Sequence, residues 1–238
     1  MAPSIDDLMA DPEMVDPLLG VLSRARKMGF LGPVSIEDHM VNGADFALAV
    51  GANPTTAAQQ PVAEPDGGAG GGAVVPTDIA DLGSGGGVPA LVVAVLCPGA
   101  RVALVERGER RCEFLREGVA ELDLADRVVV LEGEAEAHAR DSAWAEQFDV
   151  VTARSFGPPA VTAEAGVRFL RMGGRLVVSD PPGEGVLRWP ADGLASLGLR
   201  PLPRVVGART SLAVAERWGT LEARYPRRGA AVRKRPLF

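Results

Sequence analysis

The residues best placed to do chemistry lie in Ile79-Ala80-Asp81-Leu82-Gly83-Ser84-Gly85-Gly86-Gly87, a short apolar run that ends in an acid and a glycine-packed turn. Glycines at such a point let the backbone turn tightly between a strand and a helix, and approach a ligand where any Cβ would collide. A second acid, Glu106, closes the next apolar run, Val102-Ala103-Leu104-Val105. At the tip of the second strand of a doubly wound sheet, an acid accepts hydrogen bonds from ribose hydroxyls. The two segments together predict a nucleoside-cofactor site. A dinucleotide fingerprint needs glycine at the first, third and sixth positions of G-x-G-x-x-G, whereas the sixth position counted from Gly83 is Val88. No G-x-x-x-x-G-K-[ST] phosphate loop is formed either, because the first cation after these glycines is Arg101. The pattern that remains is acid-x-G-x-G-x-G from Asp81 to Gly87, and a cationic cofactor without phosphates fits it better.

The elements that must position these residues follow from periodicity. Beyond residue 77, valine-rich apolar runs alternate with helical patterns, the signature of a parallel sheet covered on both faces. Strands are predicted near 78–82, 101–106, 127–131, 148–153 and 174–179, and helices near 87–97, 108–122, 135–146, 158–171 and 184–197. Gly173-Gly174 is read as the stop of the fourth of these helices, and Asp123 to Asp126 as the turn before the third strand. Two β-prone runs, 202–206 and 211–217, complete a mixed sheet with an antiparallel pair. Upstream, apolar spacing over 4–28 predicts two short helices broken near Pro12 and Pro17. A further helix spans 35–50, with Ser35 as cap and Asp38 at the third position of a capping box. Residues 51–76 are rich in proline and glycine and read as a flexible linker. The expected organisation is a helical segment at 1–50, the linker, a main domain at 77–223 and a basic tail at 224–238.

Composition limits the function classes. The chain has 238 residues, 47% of them hydrophobic, enough for one substantial α/β domain with an appendage. Cys97 and Cys112 have neither metal-ligand nor secreted-framework spacing, so both read as reduced, packed thiols and no metal site is expected. The longest apolar run, Val88 to Cys97, is too short to cross a bilayer, and a soluble, unprocessed cytoplasmic protein is expected. Net charge is −6, which argues against a uniformly basic nucleic-acid coat. Residues 1–20 nevertheless carry five acids and no base, whereas 224–238 carry six bases and no acid. A basic tail on an acidic body fits a local polyanion contact or a solvated tail, and charge alone does not choose between them.

The acid-x-G-x-G-x-G pattern resembles motif I of S-adenosylmethionine-dependent methyltransferases. Several segments are similar to one family within that group, the bacterial small-subunit rRNA guanine-N7 methyltransferases (GidB or RsmG). They are Asp81 to Gly87 followed by Val88-Pro89, Arg111 with Phe114-Leu115-Arg116-Glu117, Phe148-Asp149-Val150-Val151-Thr152-Ala153-Arg154, Gly173-Gly174-Arg175-Leu176, and Tyr225-Pro226-Arg227-Arg228 with Lys234-Arg235-Pro236-Leu237. Leu31-Gly32-Pro33 and His39 to Asn42 are similar to the family's Gly-Pro segment and its helical His-x-x-Asn/Asp. The chain departs from the pattern in a shortened stretch at 34–38, in Ala90 where glycine is usual, and in the long 51–76 connection.

The resemblance implies a Rossmann-like, seven-stranded methyltransferase fold with a small N-terminal helical extension. It implies transfer of methyl from S-adenosylmethionine to N7 of a guanine in 16S rRNA, leaving S-adenosylhomocysteine. Gly83, Ser84, Gly85 and Gly87 would shape the cofactor pocket, Asp81 would hold the methionyl amino group and Glu106 the ribose. Ala135 and Glu136 would border the adenine. Arg154 would be the catalytic residue, facing the target base or its phosphate. His39, Arg154, Arg227, Arg228, Lys234 and Arg235 would contact RNA, with 16S rRNA or the small ribosomal subunit as partner and a monomer as the working form. Two alternatives stay open from sequence: a divergent paralogue that methylates a small molecule, and a cofactor-binding protein that docks on the ribosome without turnover.

Other signals have plainer readings. Asp180-Pro181-Pro182-Gly183 follows the fifth strand, lacks the aromatic of the amino-methyltransferase signature, and reads as a turn. Cys97 reads as a structural thiol and His138 as solvated. Tyr225 serves equally well to stack on a base or to anchor the tail.

Overall fold

Strands that stay apolar on consecutive positions are buried on both faces, and period-two alternation assigns their side chains to two separate cores. The computed structural model describes residues 12–51, 77–181 and 188–238. Among these it forms one seven-stranded sheet of β1 (Asp78–Leu82), β2 (Arg101–Glu106), β3 (Val128–Glu132), β4 (Phe148–Ala153), β5 (Leu170–Asp180), β6 (Leu199–Val206) and β7 (Ser211–Arg217). The strand order is β3-β2-β1-β4-β5-β7-β6. The first five strands pair in parallel, and β7 runs antiparallel to both of its neighbours. The chain order reverses between β1 and β4, and ligands bind open α/β sheets at the carboxyl ends of strands flanking such a point.

One face, through Ile79, Val102, Leu104, Val150, Val177 and Val214, packs under α1 (Pro12–Lys27), α2 (Ile36–Gly51), α3 (Ala90–Leu96) and α4 (Glu109–Glu121). The opposite face, through Ala80, Leu82, Ala103, Val151, Leu176 and Ala215, packs under α6 (Pro159–Val167), with α5 (Ala135–His138) and α7 (Ala191–Ala195) beside it. The tail adds Tyr225, Leu237 and Phe238 to this second core and forms α8 (Gly229–Lys234). Because Asp81, Glu106 and Thr152 share parity with Ile79, Leu104 and Val150, all three point to the face that the N-terminal helices cover.

The sequence expectations hold for β1, β2, β4 and β7, and Ser35 caps α2 by accepting the Asp38 N–H at 3.0 Å. Four differ in instructive ways. No break occurs at Pro17, which lies inside one continuous helix whose Val15, Leu18, Val21, Leu22 and Ala25 are all buried. Burial of that stripe outweighs the one backbone hydrogen bond that proline removes. The third predicted helix stops at His138, and the Asp141 carboxylate then accepts the Ala143 N–H at 2.9 Å, a turn that competes with helix. The fourth ends at Val167, so Gly173-Gly174 is not its stop; the pair lies within β5, near the register shift opposite Phe148. Gly173 has φ of 80°, which suits it to an irregular stretch of strand. The helix expected at 184–197 is seen only as α7, and residues 182–187 lie outside the described residues. Also outside them are the start of the 4–28 reading, the linker from residue 52 onward, and the end of the Asp180 turn.

Candidate functional site

The turn after β1 is built as its glycines require. Gly83, Gly85 and Gly87 have φ of 69°, 52° and 87°, a region that side chains with a Cβ rarely adopt. The Gly83 and Ser84 N–H groups donate to Val105 O at 2.8 and 3.2 Å, tying the turn to β2. Beside it opens a cavity of about 430 Å³ whose lining includes Gly83, Glu106, Gly133, Ala135, Ser155 and Phe156. Loops after four strands, β1 to β4, thus meet at one end of the sheet.

Glu106 is buried and held by backbone. Its Oε1 accepts the Arg107 and Gly108 N–H groups at 3.0 and 2.8 Å, and its Oε2 accepts the Gly85 N–H at 3.0 Å. A carboxylate has about four lone-pair directions, so one on Oε2 stays available for a hydroxyl donor. Asp81, one strand away, is only 1% exposed and differently served. Its Oδ1 accepts the Thr152 hydroxyl at 2.7 Å, while Oδ2 has no partner among the described residues. Burial raises its pKa from the usual carboxyl value to about 6, against the lowering effects of Thr152, Ser84 and Arg154. A buried acid with a vacant oxygen matches a cationic donor such as an ammonium group.

Arg154 follows β4 and is pinned by α2. Its Nη1 lies 3.1 Å from His39 Nδ1 and donates to Asn42 Oδ1 at 3.3 Å. Asn42 in turn donates to the Thr210 hydroxyl in the loop between β6 and β7. Among the described residues, Arg154 Nε and Nη2 make no hydrogen bond, so that edge of the fork remains for a ligand. Burial pulls the guanidinium pKa down and the nearby Asp81 charge opposes this. Glu136 is 2% exposed, and neither carboxylate oxygen has a partner among the described residues, a vacancy suited to an exocyclic amine or another N–H donor.

The structure therefore brings Asp81, Gly83, Ser84, Gly85, Gly87, Glu106, Ala135, Glu136 and Arg154 to one end of the sheet. It does not present His39 or Arg227 to solvent as open cations. The His39 ring is buried, with Nε2 3.3 Å from Gly32 O. Arg227 is committed to the fully buried Glu164, donating from its N and Nε to Oε1 at 2.7 and 2.8 Å and from Nη2 to Oε2 at 2.6 Å. Arg228, Lys234 and Arg235 are exposed. Tyr225 is 4% exposed and packs in the second core, which gives it the anchoring role. His138 is half-buried, with Nε2 3.1 Å from Glu132 O, rather than freely solvated.

Three contributors were given no role from the sequence, although Asn42 and Thr152 lie in segments that carry the resemblance. Thr152 stands two residues before Arg154 and shares its strand parity, a signal that was legible. Asn42 stands three residues after His39 on one helix face, also legible. Arg233 reaches the cavity lining from α8 and pairs with Glu134 at 3.4 Å, and no local pattern announces it. Among the described residues, no three or more metal-ligating side chains converge, and no helix is long and apolar enough to cross a membrane.

Comparison with known proteins bears on this geometry. The family model described as rRNA small subunit methyltransferase G matches residues 73–179. A protein named ribosomal RNA small subunit methyltransferase G from Rubrobacter xylanophilus is 36% identical over 169 residues, which cover 67% of this chain but 64% of that relative, less than two thirds of its length. One of the same name from Carboxydothermus hydrogenoformans is 32% identical over 165 residues, covering 66% of this chain and 69% of the relative. A solved structure described as cofactor-bound Rv0187 from MTB superposes with a TM-score of 0.55 at 18% identity, over 89% of this chain and 93% of that one, which shows that the two share a fold. With the sequence similarity and the architecture in agreement, the chain belongs to the small-subunit rRNA methyltransferase G family.

Proposed function

We propose that this protein transfers a methyl group from S-adenosylmethionine to N7 of a guanine in 16S rRNA. The observation that carries the reading is the vacant, buried Asp81 Oδ2 at the carboxyl end of β1, one strand from the backbone-held Glu106 and beside the Arg154 guanidinium. That arrangement suits a ligand with an ammonium group at one end and a ribose in the middle. Asp81 holds the methionyl ammonium, and Glu106 Oε2 takes a ribose hydroxyl. Ala135 and Glu136 border the adenine, with the Glu136 carboxylate accepting its amino group. Gly83, Ser84, Gly85 and Gly87 keep the backbone close to the ligand. When bound, the cofactor supplies an electrophilic sulfonium methyl.

Guanine N7 carries a lone pair and no proton, so the chain needs no general base, and its task reduces to positioning. Arg154 presents its free edge to the acceptor groups of the base or its phosphate. Exposed Arg228, Lys234 and Arg235 add phosphate contacts on the tail. In this reading residues 77–223 form the catalytic domain, 1–50 and 224–238 flank it, and the protein works in the cytoplasm as a monomer. Two free thiols support that compartment.

Labelled methyl from S-adenosylmethionine is to be mapped on 16S rRNA and on small subunits, with wild type against Arg154→Ala. Incorporation at a single guanine N7 that falls in the variant supports the reading. No incorporation by the wild type on either RNA substrate overturns it and leaves the small-molecule or docking alternatives.

A further inference from the structure

His39 is 3% exposed, and both of its ring nitrogens are engaged, so it has no polar edge to offer RNA. A guanidinium only donates and a carbonyl oxygen only accepts. Nδ1, 3.1 Å from Arg154 Nη1, must therefore accept, and Nε2, 3.3 Å from Gly32 O, must carry the proton. Only one of the three forms of imidazole satisfies both contacts, the neutral ring protonated on Nε2. We infer that His39 is a positioning residue whose neutral Nε2–H form, with Asn42, fixes the Arg154 guanidinium beside Asp81, and whose protonation releases it.

The support for His39 comes from several elements. Asn42 sits one helical turn away on α2, and its Oδ1 takes the same Nη1 at 3.3 Å while its amide reaches Thr210 across the β6–β7 loop. A two-point hold on one nitrogen sets the plane of the guanidinium and leaves Nε and Nη2 as the free edge. Protonated His39 would have no acceptor at Nδ1 and would place two cations in contact. The charged groups that face the ring are Arg154 after β4 and Arg26 on α1, which oppose protonation, and Asp38 on α2, which favours it; Asp81 acts through Arg154. Burial, first of all, then the two arginines keep the imidazole below its ordinary value. The neutral form thus prevails at neutral pH and is lost as pH falls.

The inference rests on the methyl-transfer reading only for its kinetic arm. In the first arm, nitrogen-15 NMR of the histidine rings reports tautomer and titration without substrate. An Nε2–H ring titrating below 6.5, with the midpoint rising in Arg154→Met, supports the assignment. An Nδ1–H ring, or a midpoint unmoved by Arg154→Met, overturns it. In the second arm, methyl transfer is followed against pH at saturating cofactor in H39N, whose Oδ1 replaces Nδ1 as a non-titrating acceptor, and in H39L, which has no acceptor. H39L is expected to lose about 100-fold in kcat with KM for RNA little changed, the cost of a misplaced group. H39N is expected to recover most of that rate and to lose the acid limb that His39 imposes. Equal loss in both variants, or an acid limb identical to wild type in H39N, overturns the inference. Absence of turnover in the wild type would refute the methyl-transfer reading alone, since the NMR arm still decides the role of His39.

Discussion

Asp81 and Glu106 stand at the carboxyl ends of neighbouring parallel strands, point to the same face and are both buried, yet the fold serves them differently. Three backbone N–H groups satisfy Glu106. Asp81 receives one hydroxyl and keeps an oxygen empty. A carboxylate that backbone donors hold through three of its roughly four lone-pair directions is part of the scaffold, and losing it leaves donors stranded. A carboxylate left short of donors is a cost to the free protein that a ligand can relieve. The contrast separates an acid that shapes the cavity and keeps one lone pair for a ligand from an acid with a whole oxygen free for one. Glu164, filled by Arg227 on the opposite side of the sheet, belongs with Glu106.

That division predicts its largest effect for stripping a filled carboxylate of its partner. Arg227→Ala leaves Glu164 charged and fully buried, and should lower unfolding free energy by about 3–5 kcal/mol in chemical denaturation. An unchanged denaturation midpoint, with only RNA affinity reduced, would instead make Arg227 an RNA contact. Glu106→Gln sets an amide donor against backbone donors and should cost about 2 kcal/mol of stability as well as weakening S-adenosylhomocysteine binding. Calorimetry that finds the affinity intact would remove Glu106 from the site.

Asp81→Asn should show opposite signs, weaker cofactor binding by about 1.5–3 kcal/mol but a higher Tm for the free protein. Asp81 has a folded pKa of about 6, above the usual 3.8, so its charge destabilises the fold fully above pH 6 and progressively less as pH falls toward 4. The Tm gain of the variant should shrink over that same window. The smallest effect is on affinity itself. Cofactor binding to wild type should weaken by up to about tenfold per pH unit below 6, and Asp81→Asn should flatten that slope. A variant that lowers both Tm and affinity would place Asp81 in the scaffold with Glu106.

These two acids and the glycine turn were legible because their information is local. A strand of period two, an acid at its tip and three glycines at fixed offsets lie within nine residues, and the pairing of β1 with β2 follows from chain order. What sequence misjudged was settled by distant contacts. Pro17 did not break its helix because a buried stripe kept the segment helical throughout, and Gly173 served a strand irregularity because β5 begins pairing as early as Leu170. The partners of Arg154 lie 112 and 115 residues upstream, and that of Arg227 lies 63 residues upstream, so neither the residue types nor the resemblance showed that Arg154 is tethered through one nitrogen or that Arg227 is committed to a buried acid.

The loop between β6 and β7 holds a consequence for how the chain reaches this state. Asp45 of α2 accepts the Ala208 and Arg209 N–H groups at 2.8 and 3.0 Å, and Asn42 meets Thr210, across sequence separations of 163, 164 and 168 residues. β6 joins the sheet only through β7. Contacts of such range contribute heavily to contact order, and chains rich in them fold slowly because loop closure precedes any gain. α2 emerges early in synthesis, yet the groups that fix its buried carboxylate and the arginine clamp are not made until the antiparallel hairpin is complete. Until then Asp45 and Asn42 lack these hairpin partners, and incompletely packed surface of this kind exposes a nascent chain to aggregation and to chaperones.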